Sequence, residues 1–353
     1  MVEAVNPLEG HLWYLGDDDL WHRTDHDPIT PIVMPGQTFR LAELSGSVVT
    51  VAPPPPPPPP PPGKNWMYVL NEDFSGWPTA LGGTPTQALW NDRLGMGTNN
   101  TGVSTSQKVT GTQAALDTYV RITDGGSGRG KVLTMRLPAN SGSSNKGGTF
   151  WCNMPNPQTV DECIMEYDFR FRGQTPADPF GPYWGYGGKL PGMGGVVRGT
   201  SPGQPSGCKA VDTVGWSGRQ MWWGKNAAGK APYGAVGSRA NLGIHYSYDW
   251  KRVDTCGDNL TYNSAGNSFK DQTWQSMRVH YKLNTPGQAN GLLEVFLDNV
   301  LVRQVTNWEP RNRSDLHISH FWLHCFRGGN DSLWGVPRET AVDYDNIRIS
   351  VLV

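Results

Sequence analysis

Five side chains of this 353-residue chain have types and spacings that suit proton transfer beside a negative charge: Lys189, Ser217, Arg219, Tyr246 and Tyr248. They lie in three short strings, Tyr186-Gly-Gly-Lys189-Leu-Pro-Gly192-Met-Gly-Gly195, Trp216-Ser217-Gly-Arg219-Gln-Met221-Trp222 and His245-Tyr246-Ser-Tyr248. In extended chain, residues i and i+2 share a face, which pairs Ser217 with Arg219 and Tyr246 with Tyr248. One lysine, one arginine, one hydroxyl and two phenols can thus converge on a single groove. The reaction this set suits is β-elimination on a uronic-acid polymer. The C5 proton of a uronate is too weakly acidic while the adjoining carboxylate is charged. A cation at that carboxylate stabilises the enolate-like intermediate, and Lys189 or Arg219 can supply it. A base then takes the proton and an acid protonates the leaving glycosidic oxygen. A phenol has a pKa of ~10 in water and neighbouring cations favour its ionised form, so two tyrosines can divide or share both tasks. Hydrolysis would need two facing carboxylates, and the acidic residues nearby, Asp212, Asp249, Asp254 and Asp258, have no evident partner.

The charge distribution singles out the same stretch. Residues 1–62 carry a net charge of −6 and the remainder +5, and the window 181–260 by itself accounts for +5. A local basic cluster focuses field on an anionic ligand in a way that the overall net charge of −1 would not. That near-zero total argues against a dedicated nucleic-acid binder. No apolar run approaches the ~18 residues of a membrane-spanning helix. With 15 tryptophans, many beside Gly, Asn or Asp, some rings are expected to stack on sugars rather than fill a core. Trp184 and Trp222, both in the basic window, are read that way, with Tyr186 beside them; Tyr233, between Met221 and Tyr246, competes for one phenol role.

The elements that must position these groups are short strands, since 44 glycines and 29 prolines interrupt helices too often for a helical protein. Ile164–Phe171 alternates, with Met165, Tyr167, Phe169 and Phe171 on one face and Glu166, Asp168 and Arg170 on the other. Met277–Leu283 turns Met277, Val279, Tyr281 and Leu283 inward and Arg278, His280 and Lys282 outward, of which His280 and Lys282 are taken as further substrate contacts. Leu292–Asp298 and Val342–Val351 also read as strands. Short strands with Gly-rich turns over about 290 residues predict an all-β, two-sheet antiparallel sandwich of jelly-roll type.

Ahead of that domain, Pro53–Pro62 is an unbroken run of ten prolines, a polyproline II spacer ~31 Å long. The organisation is therefore an N-terminal segment (1–52), a spacer (53–63) and a β domain (64–353). The segment holds Trp13, Tyr14, Trp21 and the acidic Asp17-Asp18-Asp19, too little for an independent core, and suits docking on a protein assembly or oligomerisation. Its start lacks the basic and apolar parts of a signal peptide, which points to retention or release by lysis.

Five strings in order resemble polysaccharide lyase family 14, which includes alginate and glucuronan lyases of algal viruses and molluscs. They are Gly187-Gly-Lys-Leu-Pro-Gly192, Ser217-Gly-Arg-Gln-Met-Trp222, Tyr246-Ser-Tyr248, Lys282-Leu-Asn-Thr-Pro-Gly287, and Phe326-Arg-Gly-Gly followed by Asp345-Asn-Ile-Arg-Ile-Ser350. The resemblance runs from about residue 67 to the end. It implies a β-jelly roll and active-site roles for Lys189, Ser217, Arg219, Tyr246 and Tyr248.

The resulting expectation is a lyase acting on an acidic polysaccharide, displayed on an assembly such as a virus particle. The alternative is a non-catalytic carbohydrate-binding or structural surface module on the same scaffold. No cofactor is required by this chemistry. A structural Ca²⁺ could be held by Asn71, Glu72 and Asp73 with Asp343 or Asp345 if the terminal strands pair, although such carboxylates more commonly cap turns. His317, His320 and His324 are read as core or surface histidines, because His317 faces away from the other two in a strand. His22 and His26 with Asp25 and Asp27 form a weaker metal-binding idea. The five cysteines (Cys152, Cys163, Cys208, Cys256, Cys325) allow a Cys152–Cys163 or Cys208–Cys256 disulfide, against buried free thiols.

Overall fold

A computed structural model describes residues 63–95, 113–126, 128–139, 147–154, 159–172, 187–197, 214–223, 242–253, 257–262, 269–270, 272–327 and 339–353, with Trp223 and Leu242 by backbone alone. It also gives the backbone of three strands near the start. The chain divides into two compact units, Met1–Pro53 and Pro54–Val353. The first contains a small antiparallel sheet of β1 (Glu3–Asn6), β2 (His11–Leu15) and β3 (Trp21–Arg23). The proline run and the side chains of His22, Asp25, His26 and Asp27 lie outside the described residues.

The second unit is a sandwich of two antiparallel sheets. Its elements are β4 (Trp66–Glu72), α1 (Gln87–Leu94), α2 (Gln113–Tyr119), β5 (Val120–Asp124), β6 (Lys131–Leu137), β7 (Gly147–Asn153), β8 (Glu162–Arg172) and β9 (Gly187–Val196). There follow β10 (Gly215–Trp223), β11 (Leu242–Tyr248), β12 (Asp258–Thr261), β13 (Gln275–Lys282), β14 (Gly291–Leu297), β15 (Val300–Trp308), β16 (His320–Arg327) and β17 (Thr340–Leu352). The six-stranded sheet runs β12-β11-β10-β9-β16-β7. The eight-stranded sheet runs β15-β14-β13-β8-β17-β6-β5, with β4 paired to the second half of β17. The first helix starts where the Thr86 hydroxyl accepts a bond from the Leu89 amide, satisfying one orphan donor.

Period-two alternation builds the core between the sheets. Met165, Tyr167, Phe169 and Phe171 of β8 and Met277, Val279 and Tyr281 of β13 pack inward, as their spacing predicts. Facing them from the smaller sheet are Phe150 and Cys152, Trp216 and Trp222, and Phe321, Leu323 and Cys325. Cys152, Cys163 and Cys325 are buried free thiols, so no Cys152–Cys163 bridge forms; Cys208 and Cys256 lie outside the described residues.

The terminal strands do pair, with Ile347 opposite Glu72 and Arg348 opposite Asn71. Their carboxylates have other partners, however. Glu72 accepts from the Phe74 amide and Asp73 from the Ser75 amide and hydroxyl, which is turn capping. Buried Asp343 binds Arg170, Arg172 and Thr134, while Arg129 bridges Asp168 and Asp345. Among the described residues no three His, Cys, Asp or Glu side chains group as a metal site would require.

Candidate active site

The outer face of the six-stranded sheet gathers all five residues of the proposed chemistry. β10 and β11 are in direct antiparallel register, with Ser217 opposite Tyr248 and Arg219 opposite Tyr246. Directly opposed residues project to the same side, so the i, i+2 pairs on each strand become one four-residue patch. Met221 and Ile244 extend it, and these two pack with Tyr246 and Tyr248 as a cluster separate from the main core.

Lys189 reaches this patch through an irregularity. Gly192 stands opposite Arg219 and Lys189 opposite Met221, so β9 spends three residues where β10 spends two. The extra residue reverses the parity of β9 and puts Lys189 on the face that Gly192 shares with Arg219. Pro191, which cannot donate to a ladder, sits inside this break, and the pairing with β16 also slips between Trp322 and Phe326. A side chain at Gly192 would drive its Cβ to 2.7 Å from the Arg219 Cα, so only glycine lets the Arg219 stem cross β9. Gly257, at φ +100°, would place a Cβ 2.9 Å from Tyr246 Cζ and 3.0 Å from the Tyr248 ring, and thus lets the chain press on both phenols.

The resulting distances are short. The Tyr248 hydroxyl donates to Tyr246 at 3.2 Å, with the rings edge to face at 5.0 Å. The Lys189 ammonium stands 5.1 Å from the Tyr246 ring centre, and the Arg219 guanidinium 5.0 Å from that of Tyr248 and 4.4 Å from that of Trp322. Arg252 approaches Tyr248 at 5.3 Å. Arg219 is 3% exposed, and its Nε and one terminal nitrogen have no hydrogen-bond partner among the described residues. Burial pulls its pKa down, partly opposed by the two tyrosines. A buried guanidinium with open donors is a costly arrangement that an incoming carboxylate would relieve.

The underside of the patch is tied to the core. Tyr262 donates to Gln220 Oε1 at 2.7 Å, which leaves the amide nitrogen to face His245 Nδ1 at 2.9 Å. Nδ1 must then accept, so the imidazole is neutral with its proton on Nε2. Burial, then the charges of Arg219 and Arg303, bring its pKa down to about 3. Between that value and the unfolded ~6.5, the unfolded chain binds more protons, so stability rises with pH across this range. It is full above pH ~6.5 and lost as pH falls towards 3. Urea unfolding should show a loss of a few kcal/mol from pH 7 to pH 3; His245→Asn should make that pH slope shallower.

The other sequence-based assignments fare differently. Trp222 is fully buried between the sheets, edge to face with Phe171 at 5.5 Å, and offers no surface to a ligand. The reason is parity: three residues from Arg219, it points to the opposite face. His280 and Lys282 belong to β13 in the other sheet. There His280 bridges Glu162 at 2.9 Å and Glu294 at 3.2 Å, and Lys282 approaches Glu162 at 4.0 Å, so neither joins the patch. Trp184, Tyr186 and Tyr233 lie outside the described residues, as do Asp212 and Asp254. Asp249 accepts from the Ser247 hydroxyl and Lys251 amide, and Asp258 from the Val253 amide, so both carboxylates serve turns.

The sequence reading missed the contribution of β16 and β7. Trp322 opposes Gly192 on one side and Trp151 on the other, which puts both indoles on the outer face. His320 and His324 share it, so His320-x-Trp322-x-His324-x-Phe326 is an alternating row that could have been read as such. Trp151 stacks on His320 with rings 4.4 Å apart, and Trp322 lies 4.3 Å from His324.

Comparisons with known proteins bear on the family and the fold. The family described as Polysaccharide lyase 14 matches residues 126–347, well over half of the chain. The protein named Exolysin of Paramecium bursaria Chlorella virus 1 is 29% identical over 211 residues, which are 56% of this chain and 30% of that relative. The chain thus spans under a third of the length of that curated relative. The fold is similar to that of the alginate lyase Aly36B, with a TM-score of 0.57 and 21% identity over 79% of this chain and 95% of that one. It is also similar to the marine PL-14 alginate lyase from Aplysia kurodai, with a TM-score of 0.53 and 20% identity over 67% and 87%.

Proposed function

Because the chain belongs to the polysaccharide lyase 14 family, we propose that the outer face of its six-stranded sheet cleaves a uronate-containing acidic polysaccharide by β-elimination. The observation that carries this reading is the buried, open-handed Arg219 beside Lys189 and two hydrogen-bonded phenols. Arg219 and Lys189 hold the uronate carboxylate and stabilise the charge that develops on it when C5 loses its proton. One phenol oxygen takes that proton as its base form. The C5 electron pair forms the C4=C5 bond, the C4–O bond breaks, and the partner phenol protonates the departing oxygen. Ser217, directly across from Tyr248, orients the sugar. A similar fold in the Aly36B series was solved as a lysine-and-tyrosine double variant in complex with alginate tetrasaccharide, which favours alginate-type polymers as first substrates.

The unit Met1–Pro53, compact in its own right, is read as a docking segment on a protein assembly. Similarity to a chlorovirus protein supports display on a virus particle. The test is to incubate the full chain, and the chain lacking residues 1–62, with polymannuronate, polyguluronate and polyglucuronate. Ultraviolet absorbance from the new unsaturated end is expected with at least one polymer for both forms. Binding without absorbance across the panel would replace the lyase reading with the carbohydrate-binding one. Loss of folding in the shortened chain would refute the separateness of the N-terminal unit.

A further inference from the structure

His324 lies on β16, two strands from β10, yet it faces the same patch. It is 3% exposed. Its ring is flanked by the two neighbours that share its side of the strand: Trp322 at 4.3 Å with 33° between planes and Phe326 at 6.0 Å with 18°. Trp322 in turn carries the Arg219 guanidinium at 4.4 Å. The imidazole is therefore held in a row of rings that ends at the cation we assign to the substrate carboxylate. Its Nδ1 is buried and has no hydrogen-bond partner among the described residues. A buried polar atom left open in an otherwise packed row calls for a partner that the described residues do not supply.

We propose that His324 is a further substrate-contacting residue, its Nδ1 bonding a ring hydroxyl of the uronate whose carboxylate lies against Arg219. This rests on the proposed reading of the face as a uronate site. A hydroxyl is the group that fits, because it both donates and accepts and so satisfies Nδ1 in either tautomer. A second carboxylate fits less well, since it accepts only and would meet a lone pair in one tautomer. Burial, then the charges of Arg219 and Lys189, hold the His324 pKa well below the ordinary imidazole range. The ring thus stays uncharged through the neutral range and adds no third cation to the patch. It reads hydroxyl geometry while Arg219 and Lys189 read charge. Uronate polymers that share a carboxylate and differ in hydroxyl configuration are the ligands such a division of labour would separate.

The test is His324→Phe, which keeps a flat ring between Trp322 and Phe326 and removes both nitrogens. Binding of oligomannuronate, oligoguluronate and oligoglucuronate is followed by calorimetry in a Tyr248→Phe background, so that bound sugar is not consumed. Melting temperature is recorded for each variant. The expected result is an unchanged or higher melting temperature, about tenfold weaker binding of the preferred oligomer, and a smaller spread among the three. Equal affinities with and without His324→Phe, or an equal loss for all three sugars, would overturn the proposal. A lowered melting temperature would assign His324 to packing and overturn it as well. Cleavage by the unaltered chain is scored separately, so failure of the lyase reading shows as absent product while the binding comparison still decides the role of His324.

Discussion

Arg219→Met is expected to lower kcat/KM on the preferred uronate polymer by 10²–10³, about 2.7–4 kcal/mol of transition-state stabilisation, while leaving the fold as stable as before or more so. The two halves of this expectation have different causes. The activity term follows from what the elimination asks of the protein: negative charge grows on the carboxylate as C5 loses its proton, and a buried cation answers it without solvent reorganisation. The stability term follows from the burial of Arg219 with two open donors and no carboxylate at ion-pair distance among the described residues. Removing a buried charge that hydrogen-bonds Tyr248 but meets no described carboxylate takes away a desolvation penalty of several kcal/mol. Against this stand its contacts with the rings of Trp322 and Tyr248, at 4.4 and 5.0 Å, worth ~0.5–2 kcal/mol. The penalty outweighs the ring contacts, so methionine, which retains the apolar stem over Trp322, should not melt earlier. Paired measurements of turnover and thermal unfolding decide it. Retained turnover would mean that the carboxylate is held elsewhere, and an early-melting variant would mean that the guanidinium holds the sheet together.

The contrast between residues that local pattern reveals and those that it hides follows from the sheet order. Tyr246 and Tyr248 are two apart on one strand, as are Ser217 and Arg219, and period two alone places each pair. The same rule, applied from Arg219 to Trp222, gives an odd offset and the opposite face, so the burial of Trp222 is legible in its spacing, which outweighs its place in the basic window. Charge marks Lys189 in the sequence, but its arrival on the patch depends on the extra residue around Pro191, which no alternation rule contains. His324 and Trp322 come from β16, which pairs with β9 across more than 120 residues of sequence. Nothing near Trp322 in the chain says that Gly192 will lie beside it. The misplacement of His280 and Lys282 has the same origin. An outward face on β13 is readable from its alternation, but which of two sheets that strand joins is a long-range fact. The sandwich itself was legible, because strand alternation, turn residues and the ordered strings of the family all indicate the same architecture.

Tyr246→Phe and Tyr248→Phe should each reduce turnover by 10²–10⁴, the range for removal of a positioned acid or base. The combined variant should be no worse than the poorer single one. This follows from the 3.2 Å bond between the two hydroxyls. If one phenol removes the C5 proton and its partner delivers a proton to the leaving oxygen, the pair works as a unit, and deleting either member already disables it. The cations are distributed to match, with Lys189 nearer Tyr246 and Arg219 nearer Tyr248. Phenylalanine keeps the edge-to-face contact at 5.0 Å and the packing with Met221 and Ile244, so folding is not the quantity being varied. Single-turnover rates for the four proteins provide the measurement. Losses that multiply in the double variant would show that the phenols act independently, one in chemistry and the other in binding. A single variant with full activity would remove that tyrosine from the proton path and leave Lys189, 5.1 Å from the Tyr246 ring centre, as the group that must take its place.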